Sequence, residues 1–483
     1  MPVVIGVDSS TSATKVTFRD IDTGTEIASG RAEHPEVHPP ASEQDPTVWE
    51  QALIHAMKLA DYRGKGIASC LVAAQQHGLV VTDENGIVLR PAKLWNDTTS
   101  ALETKWLIEQ GGGLRGWTET TGSALRAAFT VTKLAWLAHH EPEILARLKH
   151  LVLPHDWLTY RLTGQWVTDR GDASGTGYWS PFTEEWLIDK LELAAGARDW
   201  STVLPRVLMP TELAGGVTKD MAIEIGCHPD IPVAPGTGDN MAAALGLGLR
   251  KGELAISIGT SGTVFTPSEH PVVDTTGMVA GFASATGEYL PLVCTLNATR
   301  VLDATARWIG VDRRQLDSMA ESAPWGANGV VFVPYLDGER TPDRPNATGT
   351  LVGLRSDTTP SDLARAAVEG VAHNLVEAVE DIYRTGISAS DRLIVIGGGS
   401  HYRSLVKAIA TFSAQVVEVR ASQEWVARGA AVQAAAMVRG CSPDHIASEW
   451  AAANLGAVSI VEPENRVDWQ SLNGLYAAAR GED

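Results

Sequence analysis

The sequence predicts an α/β protein made of two similar domains with a cleft between them. Three observations carry that expectation. An apolar strand, a Ser/Thr turn and a returning strand occupy VVIGVDSSTSATKV at 3–16, and the same pattern returns over residues 253–265. A further apolar run, Leu393 to Ile396, opens into Gly397-Gly398-Gly399-Ser400 and then a helical stretch from Arg403. The chain has 483 residues, more than one compact core holds. The repeated hairpin therefore reads as an internal duplication, with domains over 1–245 and 246–483 joined by a helix or short hinge.

The elements follow in order. Val3 to Val7 is short, apolar and rich in β-branched residues, so it reads as a buried first strand ending on Asp8. Ser9 to Thr14 supplies small hydroxyl residues for a turn, and Lys15 to Asp20 alternates as the return strand of a hairpin. Residues 27–33 suit a third strand. Pro46 marks the first turn of a helix running to about Asp61. Ile67 to Ala74 is an apolar strand leading into Gln75-Gln76-His77-Gly78. Helical patterns dominate residues 100–165, among them TVTKLAWLAHH at 130–140. After Gly236-Thr237-Gly238, the run from Met241 is a helix of small residues that permits close packing, with Asp239 or Asn240 expected as its N-cap.

Composition narrows the function. A net charge of −19 disfavours non-specific binding to nucleic acid or to an anionic membrane, yet leaves room for a site holding one phosphorylated ligand. Backbone N–H groups, helix N-termini and a metal ion hold a nucleotide without a basic surface. Cys70, Cys227, Cys294 and Cys441 are far apart and form no C-x-x-C pair, which fits reduced thiols in the cytoplasm. The N-terminus lacks the basic and apolar regions of a signal peptide, and no apolar run reaches membrane-spanning length.

Three small-residue turns, at 9–14, 259–262 and 397–400, would let backbone N–H groups approach phosphate oxygens closely. Neither G-x-x-x-x-G-K-[ST] nor a G-x-G-x-x-G opening a βαβ unit is present. Asp239 alone reads as a helix cap. Asp8 alone reads as a turn acid satisfied by the hydroxyls that follow it. Glu339 and Arg340 suggest a structural salt bridge, and His373 a packed or capping histidine on an amphipathic helix.

Taken together, QQHG at 75–78, LWNDT at 94–98, LPHDWLTYRLTG at 153–164, DRGDASGTGYW at 169–179, GDNMAAALGLG at 238–248, VPYLDGERTP at 333–342 and GTLVGL at 349–354 resemble the FGGY family of carbohydrate kinases. The resemblance runs from residue 3 to about residue 440. It implies two duplicated actin-like ATPase (ribonuclease H-like) domains. The first would hold the sugar and one phosphate element, the second ATP. It also implies transfer of the γ-phosphoryl group of ATP to O5 of D-xylulose, with Mg²⁺.

The resemblance also assigns roles. Asp239 becomes the general base on the terminal hydroxyl, and Asp8 the carboxylate that places Mg²⁺, with Asp239 a second candidate ligand. Gln76, His77, Asn240, Trp95 and Asp97 become sugar contacts. Ser10, Thr11 and Lys15 form the first phosphate element, Gly259, Thr260, Ser261 and Gly262 the second, and Gly397, Gly398, Gly399, Ser400 and Tyr402 the adenosine element. This sequence departs from the family's usual pattern at Gln76, where Met is common, at Ala74 and Ala128, and at Tyr402, where Asn is common. Domain closure around the substrates and a homodimer are further expectations of the same kind. The rival readings are a kinase for another ketose or polyol such as ribulose or glycerol, an actin-like ATPase with no sugar substrate, and a sugar sensor without activity.

Overall fold

A computed structural model describes residues 2–481, apart from 63, 65, 422, 454, 455 and 466. The chain forms two compact units. One comprises Met1–Leu249, Pro267–Pro291 and Glu424–Leu455, the other Arg250–Thr266, Leu292–Gln423 and Gly456–Asp483.

The first unit is built on one sheet. Its strands lie in the order Gly215–Gly216, Pro232–Val233, Ile67–Ala74, Val3–Ser9, Ala13–Asp20, Glu26–Glu33, and Thr237–Gly238 also borders Ile67–Ala74. Val3–Ser9 runs antiparallel to Ala13–Asp20, with Asp8 opposite Lys15, and parallel to Ile67–Ala74, with Asp8 opposite Ala73. Thr237 in turn lies opposite Ala73 in a parallel pairing. Three neighbouring strands therefore end at one level. Asp8 sits at the end of one, Gln75-Gln76-His77 just past the second, and Asp239 just past the third. The carboxyl ends of parallel strands are where α/β sheets place their ligands.

Alternation of side chains fixes both faces of this sheet. Val3, Ile5 and Val7 join the core formed with Trp49, Leu53 and Ala56 of the helix Pro46–Leu59. That helix starts where its sequence says, because Asp45 accepts the backbone N–H of Thr47 and Pro46 fills a first-turn position. On the opposite face Gly6 touches the helix Trp425–Arg439, where a Cβ would lie 1.9 Å from the Ala427 carbonyl oxygen. The same helix crosses Asp239–Leu247 at equally close range. A Cβ on Gly429 would lie 1.7 Å from the Ala242 oxygen, and one on Gly246 1.9 Å from the Trp425 oxygen. The small-residue run after Asp239 thus exists to bring two helix backbones together.

The second unit repeats the scheme. Leu254–Ile258 pairs antiparallel with Gly262–Phe265 and parallel with Arg392–Ile396, which pairs in parallel with Val416–Arg420. Residues 292–295 add a strand beside Gly262–Phe265. Strand, turn, return strand and a parallel neighbour occur in both units in the same relation, which is the duplication read from the sequence. Gly398–His401 forms a short 3₁₀ turn before the helix Arg403–Ser413.

Candidate functional site

The first unit gathers most of the expected sugar and phosphoryl residues. Asp8 is buried, and its Oδ1 has no hydrogen-bond partner. The hydroxyl-rich turn does not satisfy it, contrary to the simple turn-acid reading. Ser10 instead closes the turn on Ala13, its hydroxyl donating to the Ala13 oxygen at 2.9 Å. Lys15 Nζ lies 3.4 Å from Asp8 Oδ2 and 2.7 Å from Glu424 Oε2. Burial pushes the Asp8 carboxyl up to about 6, against the pull of Lys15. Burial works against a charged Lys15, but Asp8 and Glu424 outweigh it and hold its pKa above the ordinary value.

Asp239 is the first residue of the helix Asp239–Leu247, and the N-cap is Gly238, in an extended conformation with no side chain to offer. The expectation that Asp239 or Asn240 would cap the helix is corrected here. A Cβ at position 238 would lie 2.8 Å from the Gln76 side chain, so glycine takes the cap and the acid moves one place on. Asp239 Oδ1 accepts from the Asn240 backbone N–H at 2.8 Å and from Asn240 Nδ2 at 2.9 Å. Asn240 Nδ2 also donates to Gln76 Oε1 at 2.9 Å. Gln76, Asn240 and Asp239 thus form one hydrogen-bonded chain, while the buried Gln76 Nε2 has no partner. Asp239 is half-buried. Solvent reaches it, yet burial first and the charge of Asp8 second raise its carboxyl to about 7. The helix N-terminus beneath it favours the charged form.

His77 adopts a left-handed backbone, φ 65°, and its ring is fixed on three sides. Nδ1 is 2.7 Å from the Gly175 carbonyl oxygen, Phe129 stacks at 4.9 Å, and Phe282 lies at 5.7 Å. Glycine is required at 175, since a Cβ would come within 2.6 Å of the ring. The buried Lys133 ammonium donates to the His77 carbonyl oxygen at 2.8 Å. Thr11 donates to Gln75 Oε1 at 3.0 Å and accepts from Trp95 Nε1 at 2.9 Å. Asp97 is fully buried and engaged elsewhere: it accepts from the Ser42 and Thr99 backbone N–H groups at 2.9 and 3.0 Å, and lies 3.4 Å from Lys93 Nζ. It makes no described contact with Gln76, Asn240 or Asp239.

In the second unit Gly259 and Thr260 are exposed at the turn between paired strands. Gly259 N donates to the Ser261 oxygen at 2.9 Å, and the Gly259 and Thr260 oxygens accept from Thr299 and Ala298 at 3.1 and 3.2 Å. A Cβ on Gly262 would strike Leu375 at 2.5 Å. Gly397, at φ 89°, lies so close to Ile258 that a Cβ would be 2.6 Å from its oxygen, while Gly398 faces open space. Ser400 closes this turn on the Gly397 oxygen at 2.7 Å. Tyr402 Oη reaches Asp303 at 3.5 Å, and Asp303 is also bound by Arg313 at 2.6 Å.

One further expectation changes, and the choice left open for His373 is decided. Glu339 does not rely on an ion pair with Arg340. Its buried carboxylate accepts from the Leu296 N–H at 2.5 Å, the Arg340 N–H at 2.7 Å, and Asn297 and Asn374 Nδ2, each at 3.0 Å. His373 is a packed residue, stacked between Phe412 at 4.3 Å and Tyr476 at 4.7 Å, and burial holds it neutral with its pKa lowered to about 3.

Sequence reasoning missed Glu424, Lys133 and Gly175. Glu424 and Gly175 carry no local signal, because their partners lie far away in the chain. Lys133 had one: it stands on the apolar stripe of its helix beside Leu134, and a lysine there needs a buried acceptor.

Residues 3–246 match the N-terminal domain, and residues 254–438 the C-terminal domain, of the FGGY family of carbohydrate kinases. The chain belongs to that family. It is 43% identical over 461 residues to a xylulose kinase of Streptomyces rubiginosus, covering 95% of this chain and 93% of that protein. A xylulose kinase of Escherichia coli K12 is 34% identical, covering 86% of each chain. Among solved structures, a xylulose kinase from Bifidobacterium adolescentis superposes with a TM-score of 0.86 at 38% identity, covering 99% of both chains. A gluconate kinase from Lactobacillus acidophilus, 22% identical, superposes at 0.91 over 99% of this chain and 98% of that one and shows the shared fold alone. The chain is thus a two-domain kinase of the actin-like ATPase fold.

Proposed function

We propose that this enzyme transfers the γ-phosphoryl group of ATP to O5 of D-xylulose, giving D-xylulose 5-phosphate and ADP. The observation that carries the reading is the pair Asp8 and Asp239, brought by two strand ends to one level of the sheet, each with its pKa raised. The proposed sugar specificity rests on the named relatives. Asp239 accepts the proton of the terminal hydroxyl as that oxygen attacks, and a carboxyl raised to about 7 is suited to this at neutral pH. Asn240 and Gln76 hold the carboxylate in place, and the spare Gln76 N–H₂ offers a donor to the sugar. His77, immobilised by Gly175 and Phe129, is the other sugar contact, and Trp95, tied to Thr11, is a further candidate, whereas Asp97 is committed to Ser42, Thr99 and Lys93.

The residues suit a divalent cation as well. Asp8 keeps a buried oxygen without a partner, and its charge raises the pKa of Asp239, so both carboxyls gain from a positive charge. Mg²⁺, when bound, neutralises phosphate charge during the transfer. Lys15, Ser10 and Thr11 would support the phosphates on this unit. On the second unit, Gly259 to Gly262 are the second phosphate element of this reading, and Gly397 to Ser400 with Tyr402 its adenosine element. The reading assigns sugar to residues 1–245 and ATP to residues 246–483. It includes a homodimer, suggested by the family resemblance and readable by light scattering. It also includes a cytoplasmic setting, in keeping with four cysteines that form no disulfide. No helix among the described residues is long and apolar enough to cross a membrane.

Coupled ADP release with Mg-ATP tests the reading over D-xylulose, D- and L-ribulose, L-xylulose, D-fructose, glycerol and no sugar. D-xylulose should lead. A lead by another ketose would keep the kinase and move attention to Gln76. ADP release at one rate with and without sugar would reject the reading.

A further inference from the structure

Behind the strand end that presents Asp239 lies a set of ionisable groups that the proposed chemistry does not use. His155 is the second residue of the helix Pro154–Thr163. Its Nδ1 is 3.3 Å from Asp156 Oδ1, and its Nε2 is 3.2 Å from Asp169 Oδ1 and 3.5 Å from Asp172 Oδ2. None of the four side chains is more than 2% exposed. The cluster is tied to the base by two short links. Thr237, two residues before Asp239, donates its hydroxyl to Asp169 Oδ2 at 3.2 Å. Gly236, at φ 95°, lies against the imidazole so closely that a Cβ would be 2.3 Å from Nδ1. Asp169 also accepts from Gly171 N at 2.8 Å and Asp172 N at 3.0 Å, so its position is set from the other side as well.

Ionised carboxylates buried around a neutral ring would leave their charge uncompensated, which is costly, so protons on the ring or on the acids offset it. Burial lowers the basicity of His155, but Asp156, Asp169 and Asp172 prevail and raise it to about 9. Burial and the neighbouring acids push Asp172 well up, and Asp156 rises to about 6. The acids facing His155 are Asp156 from its own helix and Asp169 and Asp172 from the segment beside it. Tyr178, itself neutral, lies near Asp156 and Asp172, and Asp172 also feels the charge of Asp239.

We propose that His155 is the positioning residue of the catalytic base: as an imidazolium it fixes Asp169, Asp169 fixes Thr237, and the turn Gly236-Thr237-Gly238 is thereby held where it presents Asp239 to the sugar. The proposal rests on the reading of Asp239 as the base. It explains why a threonine, buried and hydrogen-bonded, precedes Gly238. It also explains why the sheet carries a two-residue strand, Thr237–Gly238, at this point.

The test uses the full chain. His155→Gln removes the cation while keeping polarity. It should lower kcat by about 10- to 100-fold, the scale of a misplaced base, with the KM for ATP unchanged within about twofold. His155→Lys should restore most of the loss. Thr237→Val removes only the hydroxyl and should lower kcat by about tenfold. The imidazole ¹⁵N resonances of His155, identified by their loss in His155→Gln, should show both nitrogens protonated at pH 8.

A neutral tautomer at that pH overturns the proposal while sugar-dependent turnover stands. So does wild-type kcat in Thr237→Val or His155→Gln. If His155→Gln does not fold, Thr237→Val and the wild-type ¹⁵N signature still decide. Absence of sugar-dependent turnover in the wild type, with a protonated His155, rejects the reading of Asp239 as a base and the proposal with it.

Discussion

At the scale of single residues, Asp8 and Asp239 share one problem. Each is at least partly withdrawn from water, and Asp8's charge further raises the pKa of Asp239. Activity should therefore fall on the acid side with apparent values near 6 to 7, and a pH profile of ADP release reads this directly. Raising Mg²⁺ should move that limb to lower pH, because a cation favours the charged form. A profile that is flat between pH 5.5 and 8 would contradict the account. The same shift bears on stability. The folded-state carboxyl of Asp239 lies above its ordinary value of 3.8, so between about pH 4 and 7 the native state keeps a proton that the unfolded chain has lost. Its contribution is present below pH 3.8 and is lost as pH rises through 7. Asp239→Asn should then be more stable than wild type at pH 8 by on the order of 1–2 kcal/mol, allowing for its partial exposure, as urea unfolding would show.

At the scale of elements, the strand Val3–Ser9, its return strand and the strand Ile67–Ala74 were legible because β-branched runs ended by small turn residues have few other uses. The helix starting at Asp239 was legible as a helix, but its cap was not. The space beside Gln76 decides that glycine stands at the N-cap, and no local rule contains it. The glycines of this helix and of Trp425–Arg439 were equally silent until the two were seen to cross. Gly429→Ala should destabilise the protein by about 3 kcal/mol or more, because its methyl would meet backbone and the neighbour cannot yield. Equilibrium unfolding measures this, and a loss under 1 kcal/mol would show that the crossing adjusts easily.

At the scale of the whole molecule, the duplication was readable from two hairpins. The interleaving of the chain was not. Residues from Glu424 to 455 belong with the first unit, although they follow the whole sequence of the second. Lys15 finds Glu424, and Gly6 finds Ala427, only through that return. A fragment ending at residue 249 should therefore aggregate or bind a hydrophobic dye. A fusion that adds residues 424–455 should recover a cooperative transition. Equal behaviour of the two would contradict the assignment. The buried cluster of His155 escaped notice for the same reason, since its three acids and Thr237 come together only in the folded sheet.

The most direct test of the central claim is the product itself. Enzyme, Mg-ATP and D-xylulose would be followed by ³¹P–¹H correlation NMR, beside Asp239→Asn. The account predicts a single phosphomonoester coupled to the two H5 protons, formed about 10²–10⁴-fold more slowly by the variant. A phosphate on another oxygen, or equal rates in both proteins, would contradict it.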